Sequence, residues 1–396
     1  MNHESPDDRQ HRKPRKSQSG PPIDTFLTEP LPADVARAVD RLARCPGVAR
    51  IALMPDVHLS HHVCVGTVLA TTGLLYPAAI GGDIGCGMAA LAFDAPASVA
   101  LATEADARRV LHELKERIPA NRHHRPQDLP AELDSTALSH PSLESIKRRD
   151  ARVQFATLGG GNHFLEFQSD DADPVDGTGR LWLMLHTGSR GVGQAIRDHH
   201  LTRARGRPLA ALDADVPDGR AYLADMAWAT AYAAASRREI VDRVASLLHE
   251  LSAVTPLPDT YVDCHHNFVR QETHFDHSLY VHRKGAISAT AAEPGITPGS
   301  MGTHSYHVAG RGHPASLRSS AHGAGRAMSR GEARQRISPH DLSRQLGGVY
   351  FDPTMADTLR EEAPSAYKPI DKVMRAQRDL TRIVRKLRPV LSYKGP

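Results

Sequence analysis

The sequence contains few cysteines and no long apolar run. Its 396 residues include four cysteines, none of which belongs to a C-x-x-C pair: Cys45, Cys64, Cys86 and Cys264. Such scattered cysteines indicate neither a disulfide framework nor a zinc ribbon, and they favour a reduced, cytoplasmic setting. No segment is apolar over the length that a bilayer crossing needs, and the first residues are polar and basic. We therefore expect no membrane span and no membrane partner.

The composition is otherwise typical of a globular protein, with 40% apolar and 24% charged residues. The length allows two or three domains, or one large domain. The formal net charge of +4 permits an anionic partner without requiring one. Residues 1–22 are rich in proline, serine and charge. They predict a disordered basic tail, which either contacts nucleic acid or stays solvated.

Hydrophobic periodicity predicts both helices and strands. Apolar side chains spaced three to four residues apart indicate helices over residues 32–45, 103–117, 143–152, 220–251 and 368–387. Short apolar runs indicate strands over residues 48–54, 63–70, 88–93 and 181–185. This pattern by itself indicates only a mixture of α and β structure.

A glycine-rich heptapeptide at residues 82–88 places Asp83 and Cys86 among three glycines. Glycine has no Cβ, so the backbone can bend sharply there and direct both side chains toward one point. A thiolate and a carboxylate together can bind a metal ion. The alternative is a tight turn with a small buried cysteine, and for an isolated motif of this kind that alternative is preferable.

Three further stretches shift the balance toward a functional site. A triple glycine is followed by Asn162 and His163, where the backbone can approach a ligand closely; the alternative is a flexible loop ending in a strand. A buried strand ends in His186, followed by hydroxyl side chains and Arg190, whose planar fork of donors suits phosphate. The third stretch is Cys-His-His-Asn at residues 264–267.

Taken together, the motifs resemble the RtcB family of RNA-splicing ligases. Eight segments carry the resemblance: P-D-V-H at 55–58, D-I-G-C-G-M at 83–88, G-N-H-F-L-E at 161–166, G-S-R-G at 188–191, H-H-N at 265–267, H-R-K-G-A at 282–286, G-S-M-G at 299–302 and H-G-A-G-R at 322–326. Any one could arise by chance, but all eight in order hardly could. The resemblance implies a single large α+β domain over residues 23–396, with mixed β-sheets and surrounding helices around a metal-lined cleft.

The resemblance implies a centre of two Mn²⁺ ions in which Cys86 bridges. The implied ligands are Asp83, Cys86, His163, His186 and His266. The residue types agree, because carboxylate suits Mn²⁺ and a thiolate held between two dications stays deprotonated. Taken singly, each histidine is as well explained as a surface or core residue.

The resemblance also implies that His322 is a nucleophile that GTP guanylylates. An imidazole nitrogen can attack the α-phosphate when metal ions and cations neutralise the phosphate oxygens, and Arg326 would contribute to that neutralisation. The implied nucleotide contacts are Asn162 at the α-phosphate, Ser300 at the triphosphate, Gly323, Ala324 and Gly325 beside it, Tyr367 stacking on the base, and Glu166, Ser305 and Lys394 reading guanine.

The implied activity joins RNA ends. An RNA 3′-phosphate, or a 2′,3′-cyclic phosphate hydrolysed to it, would accept GMP from His322, and the 5′-hydroxyl of a second RNA would then expel GMP. Arg190 and Lys284 are the implied contacts for the terminal phosphate. We expect a monomer that acts on tRNA halves or cleaved RNA; the sequence leaves open whether it needs an archease-like helper as a further partner.

The sequence departs from the family pattern directly after residue 58. Most relatives have glycines where this chain has Ser60 and His62, with His61 between them. The departure leaves the RNA preference open. Two other functions also stay open: a metal-dependent phosphoesterase that lost ligation, and an RNA-binding repair accessory without turnover.

Overall fold

The structure, a computed structural model, describes residues 20–175, 178–204 and 209–395. Residues 1–19 of the predicted basic tail lie outside these ranges. The strands are β1 (Ile23–Thr25), β2 (Val48–His58), β3 (Val65–Thr71), β4 (Leu74–Leu75), β5 (Gly87–Pro96), β6 (Phe164–Val175), β7 (Thr178–Thr187), β8 (Leu212–Asp213), β9 (Pro256–His265), β10 (Asn267–His274), β11 (His277–Lys284), β12 (Ala286–Ser288), β13 (Pro294–Thr297), β14 (Ser305–Gly310), β15 (Ser319–Ala321) and β16 (Thr381–Tyr393). The α-helices are α1 (Ala33–Ala43), α2 (Ala97–Ala100), α3 (Glu104–Arg117), α4 (Ala131–Ser135), α5 (Pro141–Ile146), α6 (Arg152–Gln154), α7 (Arg190–Arg203), α8 (Pro217–Ser252), α9 (Arg330–Arg336), α10 (Pro339–Gln345), α11 (Ala356–Leu359) and α12 (Ile370–Ala376). A π-helical turn, Lys147–Ala151, connects α5 to α6.

A seven-stranded antiparallel sheet has the order β13-β14-β16-β6-β7-β5-β9. His186 near the end of β7 lies opposite Met88 of β5 on one side and Phe164 of β6 on the other. Gly87 at the start of β5 lies opposite His265 at the end of β9. Because neighbouring strands run in opposite directions, the starts of β5 and β6 and the ends of β7 and β9 share one edge of the sheet.

A five-stranded sheet, in the order β1-β2-β3-β11-β10, supplies the opposite wall of the cleft. Its strands are antiparallel apart from the β1–β2 pair. The β2–β3 register shifts between Leu53 and His58, so the P-D-V-H segment leaves regular pairing. The small β12–β15 sheet ends at Ala321, directly before His322.

The largest core cluster lies between the seven-stranded sheet and helices α3 and α8. Helix α8 spans 36 residues and confirms the helix predicted over 220–251. Its predicted buried side is also observed, with Tyr222, Ala229, Ile240 and Val244 all fully buried. Burial of this apolar face is the main contribution to the stability of the α8–sheet contact.

The helix predicted over residues 368–387 is wrong in its second half. Helix α12 ends at Ala376, and the chain then forms β16 in the middle of the seven-stranded sheet, between β14 and β6. The β-branched residues Thr381, Ile383 and Val384 favour a strand, although the spacing of the apolar residues in this stretch mimics a helix.

The predicted α+β architecture, with mixed sheets and helices around a cleft, is confirmed. Within the described residues, each helix is too short or too polar to cross a bilayer.

Candidate active site

The five predicted metal ligands meet at the shared edge of the seven-stranded sheet. The Nε2 atom of His163 lies 2.8 Å from Oδ2 of Asp83 and 3.5 Å from Sγ of Cys86. The Nε2 atom of His186 lies 3.2 Å from Cys86 Sγ and 3.3 Å from Nε2 of His266. Within each of two groups the ligand atoms lie within 4.8 Å of one another: Asp83 with Cys86 and His163, and Cys86 with His186 and His266. Cys86 belongs to both groups, so its sulfur is placed to bridge two ions.

Electrostatics favour a cation at this point. Burial, together with neighbouring histidines, holds the pKa values of His186 and His266 well below the usual range, so both rings are neutral. Burial alone would raise the pKa of Asp83, but the adjacent His163 outweighs it and the value falls to about 2. Burial and the Asp83 charge raise the pKa of the Cys86 thiol, so metal binding must release its proton.

The surroundings of the ligands also fit a metal centre. Nδ1 of His186 lies 3.0 Å from the carbonyl oxygen of Asn162, to which it donates, and this leaves Nε2 free as a ligand. Oδ1 of Asp83 is buried without a hydrogen-bond partner among the described residues and is therefore available to an ion. A Cβ at Gly188 would lie 2.3 Å from Asp83 Oδ1, so any residue other than glycine would displace the carboxylate. These residues therefore fit two metal ions bridged by a thiolate.

His322 lies next to this centre, and Asp56 fixes its orientation. The two rings of His322 and His266 have centroids 4.7 Å apart. Nδ1 of His322 lies 2.7 Å from Oδ2 of Asp56, a carboxylate that is fully buried. Because Nδ1 donates this hydrogen bond, the lone pair is on Nε2. Sequence reasoning missed Asp56, although the P-D-V-H motif contains it at the end of a buried strand.

A cavity of about 280 Å³ opens on one side of His322. It is lined by every residue predicted to contact the nucleotide: Asn162, Glu166, Ser300, Ser305, His322, Gly323, Ala324, Gly325, Tyr367 and Lys394, with Arg326. Gly325 has φ +72°, and a Cβ there would lie 2.3 Å from the carbonyl oxygen of Asp56. Close packing of the glycine loop against the 55–58 segment therefore requires glycine at this position.

Glu362 organises the far end of this cavity and was not predicted. Its buried carboxylate lies 3.2 Å from Nζ of Lys394, accepts a hydrogen bond from Tyr367, and contacts Arg326 and Arg330. Burial tends to raise the pKa of Glu362, but these cations, Lys394 above all, hold it below the usual range. Arg326 also donates to two backbone carbonyls and to the hydroxyl of Tyr367, so in this structure it braces the pocket wall. No sequence motif links these positions.

Glu166 is a second buried carboxylate of the nucleotide cavity, and it accepts a hydrogen bond from the side-chain amide of Gln168 at 2.6 Å. Burial raises the pKa of Glu166 to about 8, although the nearby Lys394 opposes this shift. The carboxyl group is therefore mostly protonated at neutral pH before a ligand binds.

A second cavity, of about 550 Å³, is also lined by His322 and reaches the predicted metal ligands Asp83, Cys86 and His266. Its cationic side chains include Lys284, as predicted for the terminal phosphate, and Arg197 of α7, which was not predicted. Burial and the charge of Arg197 lower the pKa of Lys284 to about 8. An anionic ligand would relieve this repulsion between the two cations.

The divergent loop Ser60-His61-His62 lines the same second cavity. His62 has φ +61°, a left-handed conformation that suits glycine, which explains why glycine is favoured there. The ammonium of Lys284 donates to the carbonyl oxygens of His61 and Val63, at 3.2 and 2.8 Å, and so holds this loop in place. The loop therefore borders the cleft, although both of its histidines are exposed to solvent.

Arg190 lies outside the lining of both cavities. Its guanidinium donates to Oγ1 of Thr157 at 3.2 Å and to the carbonyl oxygen of Ala120 at 3.1 Å. A Cβ at Gly159 would approach both Arg190 Nη1 and His163 Nδ1 within 2.4 Å. Arg190 thus lies behind His163, a predicted metal ligand, and a direct contact with RNA stays a prediction.

Comparison with known proteins identifies the family of the chain. The sequence model of a family described as tRNA-splicing ligase RtcB matches residues 38–140 and 131–395. The chain is 36% identical over 399 residues to the RNA-splicing ligase RtcB of Escherichia coli K12, covering 92% of this chain and 95% of that protein. It is 33% identical to RNA-splicing ligase RtcB of Mycobacterium tuberculosis, over 90% of this chain and all of that protein, and 27% identical to tRNA-splicing ligase RtcB of Methanococcus maripaludis, over 94% of each. The chain belongs to the RtcB family of tRNA-splicing ligases.

Proposed function

We propose that the protein is a GTP- and Mn²⁺-dependent RNA ligase that works through a guanylylated His322. One observation carries the proposal: His322, whose Nδ1 is engaged by Asp56, lines two cavities. One cavity is lined by the residues matched to nucleotide binding, and the other by cations and the metal-ligand cluster. A nucleophile in this position can accept a group from a ligand in the first cavity and pass it to a ligand in the second.

The proposed reaction has three chemical steps. Nε2 of His322 attacks the α-phosphorus of GTP, a nitrogen–phosphorus bond forms, and pyrophosphate leaves. An oxygen of the RNA 3′-phosphate then attacks the same phosphorus and releases His322, which leaves the RNA end capped with GMP. Finally the 5′-hydroxyl of the second RNA attacks the terminal phosphate and expels GMP, while its proton passes to solvent. The GMP group gives the terminal phosphate a good leaving group, and this avoids a difficult direct condensation of the two RNA ends.

Asp83, Cys86, His163, His186 and His266 would hold the metal ions, which when bound supply positive charge beside the reacting phosphates. The protein's own residues do the remaining work. Asp56 keeps the lone pair of His322 on Nε2, and Arg197 and Lys284 attract the anionic RNA end. That the protein acts as a monomer stays a prediction. An archease-like helper stays a prediction.

Incubation with GTP labelled at the α-phosphate, in the presence of Mn²⁺, tests the proposal. We expect label that persists on denatured protein and is lost in His322→Ala. Transfer of the label to an RNA 3′-phosphate, followed by sealing to a 5′-hydroxyl RNA, distinguishes a ligase from the other two functions. A phosphoesterase would remove the terminal phosphate without labelling the protein, and an RNA-binding accessory would bind RNA without turnover.

The protonation of Glu166 makes guanine binding depend on pH. Guanine presents donors, its N1–H and exocyclic amine, so only the ionised carboxylate can accept from both. Since the pKa of Glu166 is raised to about 8, affinity should rise with pH by up to roughly tenfold per unit below that value and then level off. Calorimetric titration with guanosine, which carries no phosphate, measures this dependence.

Glu166→Gln is the matched control for that titration, because it keeps the shape and removes the ionisation. The variant should bind guanosine weakly and with little pH dependence. It should also lose most of the preference for GTP over ATP in the labelling assay, since a site built to hydrogen-bond one ligand can reject an analogue by roughly 10⁴-fold. Identical pH profiles in the two proteins would contradict the assignment of Glu166.

The divergent loop should affect RNA rather than nucleotide. The double change His61→Ala and His62→Gly removes two imidazoles from the RNA-side cavity and restores the glycine that suits φ +61°. We expect a change in the Michaelis constant for RNA, or in the pH profile of ligation, while GTP still labels His322. His277→Ala, which removes an exposed histidine from the start of β11, is the control. If ligation keeps its rate and pH profile, the loop is only a structural variant.

A further inference from the structure

We propose that Arg237 is a positioning residue that fixes the metal ligands Cys86, His186 and His266 in their relative places. The inference deepens the proposed metal centre and rests on it. Arg237 lies on α8, outside every motif that the sequence singled out, and its side chain is fully buried.

One guanidinium group binds the chain next to all three ligands. Nη1 donates to the carbonyl oxygens of Gly85 and Thr187, both at 2.9 Å. Nη2 donates to Nδ1 of His265, also at 2.9 Å. Gly85 precedes Cys86, Thr187 follows His186, and His265 precedes His266. Three segments that are far apart in sequence are therefore tied to one rigid plane at the positions adjacent to their ligands.

The guanidinium is itself held in a fixed orientation by β9. Nε and Nη2 of Arg237 lie 2.9 and 2.8 Å from the two carboxylate oxygens of Asp263, a two-point contact that fixes the plane as well as the distance. Tyr261 donates to the same carboxylate at 3.2 Å. A lysine at position 237 would keep the charge but could not reach these acceptors together.

The glycine-rich turn is shaped around this contact. A Cβ at Gly87 would lie 3.1 Å from the central carbon of the Arg237 guanidinium and 2.4 Å from the carbonyl oxygen of Cys264. Glycine after Cys86 therefore lets β5, β9 and the guanidinium come together. This gives the motif a second role, beyond the bend that directs Asp83 and Cys86 toward one point.

A second buried arginine provides a matched comparison. Arg283 is also fully buried and makes a two-point contact with a carboxylate, that of Glu272. Its other partners are Oγ of Ser319 and the carbonyl oxygen of Leu317. None of these four contacts involves a metal ligand or a residue adjacent to one. Arg283→Lys should therefore lower stability as Arg237→Lys does, without the effect on metal binding.

Titration of the purified protein with Mn²⁺, followed by electron paramagnetic resonance, tests the inference. In Arg237→Lys the dissociation constant for Mn²⁺ should rise by about 10- to 100-fold, the usual effect of removing a group that orients metal ligands. Excess Mn²⁺ should restore much of the guanylylation rate, because the ligands themselves are intact. Arg283→Lys should bind Mn²⁺ as the unchanged protein does, with a comparable loss in thermal stability.

Wild-type affinity for Mn²⁺ in Arg237→Lys would overturn the inference. If that variant does not fold, Asp263→Asn replaces it, since it keeps the guanidinium and removes the charge that orients it; Mn²⁺ affinity should fall by about tenfold, and unchanged affinity would count against the proposal. Failure of the unchanged protein to bind Mn²⁺ would instead reject the metal centre itself. The two failures are therefore distinguishable.

Discussion

Replacing Cys86 with alanine is expected to weaken the binding of both metal ions and to lower the rate of guanylylation by about 10³-fold or more. The reason is geometric. Cys86 Sγ is the one ligand atom shared by the two groups, 3.5 Å from His163 and 3.2 Å from His186 on its two sides. Loss of another ligand leaves one complete group, whereas loss of Cys86 leaves neither.

Metal analysis of the purified variants, together with the GTP-labelling assay, measures both effects. Cys64→Ala is a suitable control, because Cys64 and Cys86 are equally buried, with 2% of the surface of each residue exposed, and Cys64 belongs to an apolar cluster. Both substitutions remove a buried sulfur, so they should cost similar stability, but only Cys86→Ala should lose manganese. Unchanged manganese content in Cys86→Ala would refute the assignment of Cys86 as the bridge.

The sequence alone was sufficient to group the site residues that lie close together along the chain. Asp83 and Cys86 share one turn, and Asn162, His163 and Glu166 share one strand start, so the spacing of motifs already grouped them. All the residues predicted to bind nucleotide line one cavity, and apart from Tyr367, which lies between a 3₁₀ turn and α12, they come from strands or strand ends that meet there.

The sequence alone was not sufficient to identify residues that act through a partner far away along the chain. Asp56 and His322 are 266 positions apart, and the contact between them depends on how β2 and β15 meet. Arg237 lies within an ordinary amphipathic helix, where a buried arginine leaves no periodic signal. Glu362 lies in a 3₁₀ turn without a motif. Pairing between remote segments decides all three roles, and local propensity carries no information about such pairing.

The same limit explains why the helix predicted over residues 368–387 is wrong in its second half. Leu380, Ile383, Val384 and Leu387 have helical spacing, but β14 and β6 each present an open edge that β16 completes. Backbone hydrogen bonds to two neighbouring strands outweigh a weak local preference. The strand also carries the chain to Lys394, which then reaches Glu362 in the nucleotide cavity. A helix ending at residue 387 would place that lysine elsewhere.

Asp56→Asn is expected to slow guanylylation by roughly 10³- to 10⁴-fold while GTP and Mn²⁺ still bind. The carboxylate of Asp56 accepts the Nδ1 proton of His322 at 2.7 Å, which keeps the lone pair on Nε2. An asparagine that turns its amide NH₂ toward Nδ1 favours the other tautomer, whose proton blocks the attacking nitrogen. In serine proteases the equivalent change in an Asp–His pair costs about 10⁴-fold by this route. An asparagine that turns its oxygen toward Nδ1 would keep the original tautomer. Asp56→Ala, whose side chain cannot accept a hydrogen bond from Nδ1, is therefore measured alongside Asp56→Asn.

The buried pair of Asp225 and His200 supplies the control. Its Oδ2–Nε2 distance is also 2.7 Å, and both side chains are about 1% exposed, but neither residue lines the two cavities beside His322. Asp225→Asn should therefore reduce thermal stability and leave the labelling rate unchanged. Nitrogen-15 NMR of the His322 ring would show the proton on Nδ1 in the unchanged protein and its shift toward Nε2 in Asp56→Asn. If both Asp56 variants label at the wild-type rate, Asp56 only packs against His322, and the nucleophile does not depend on this hydrogen bond for its lone pair.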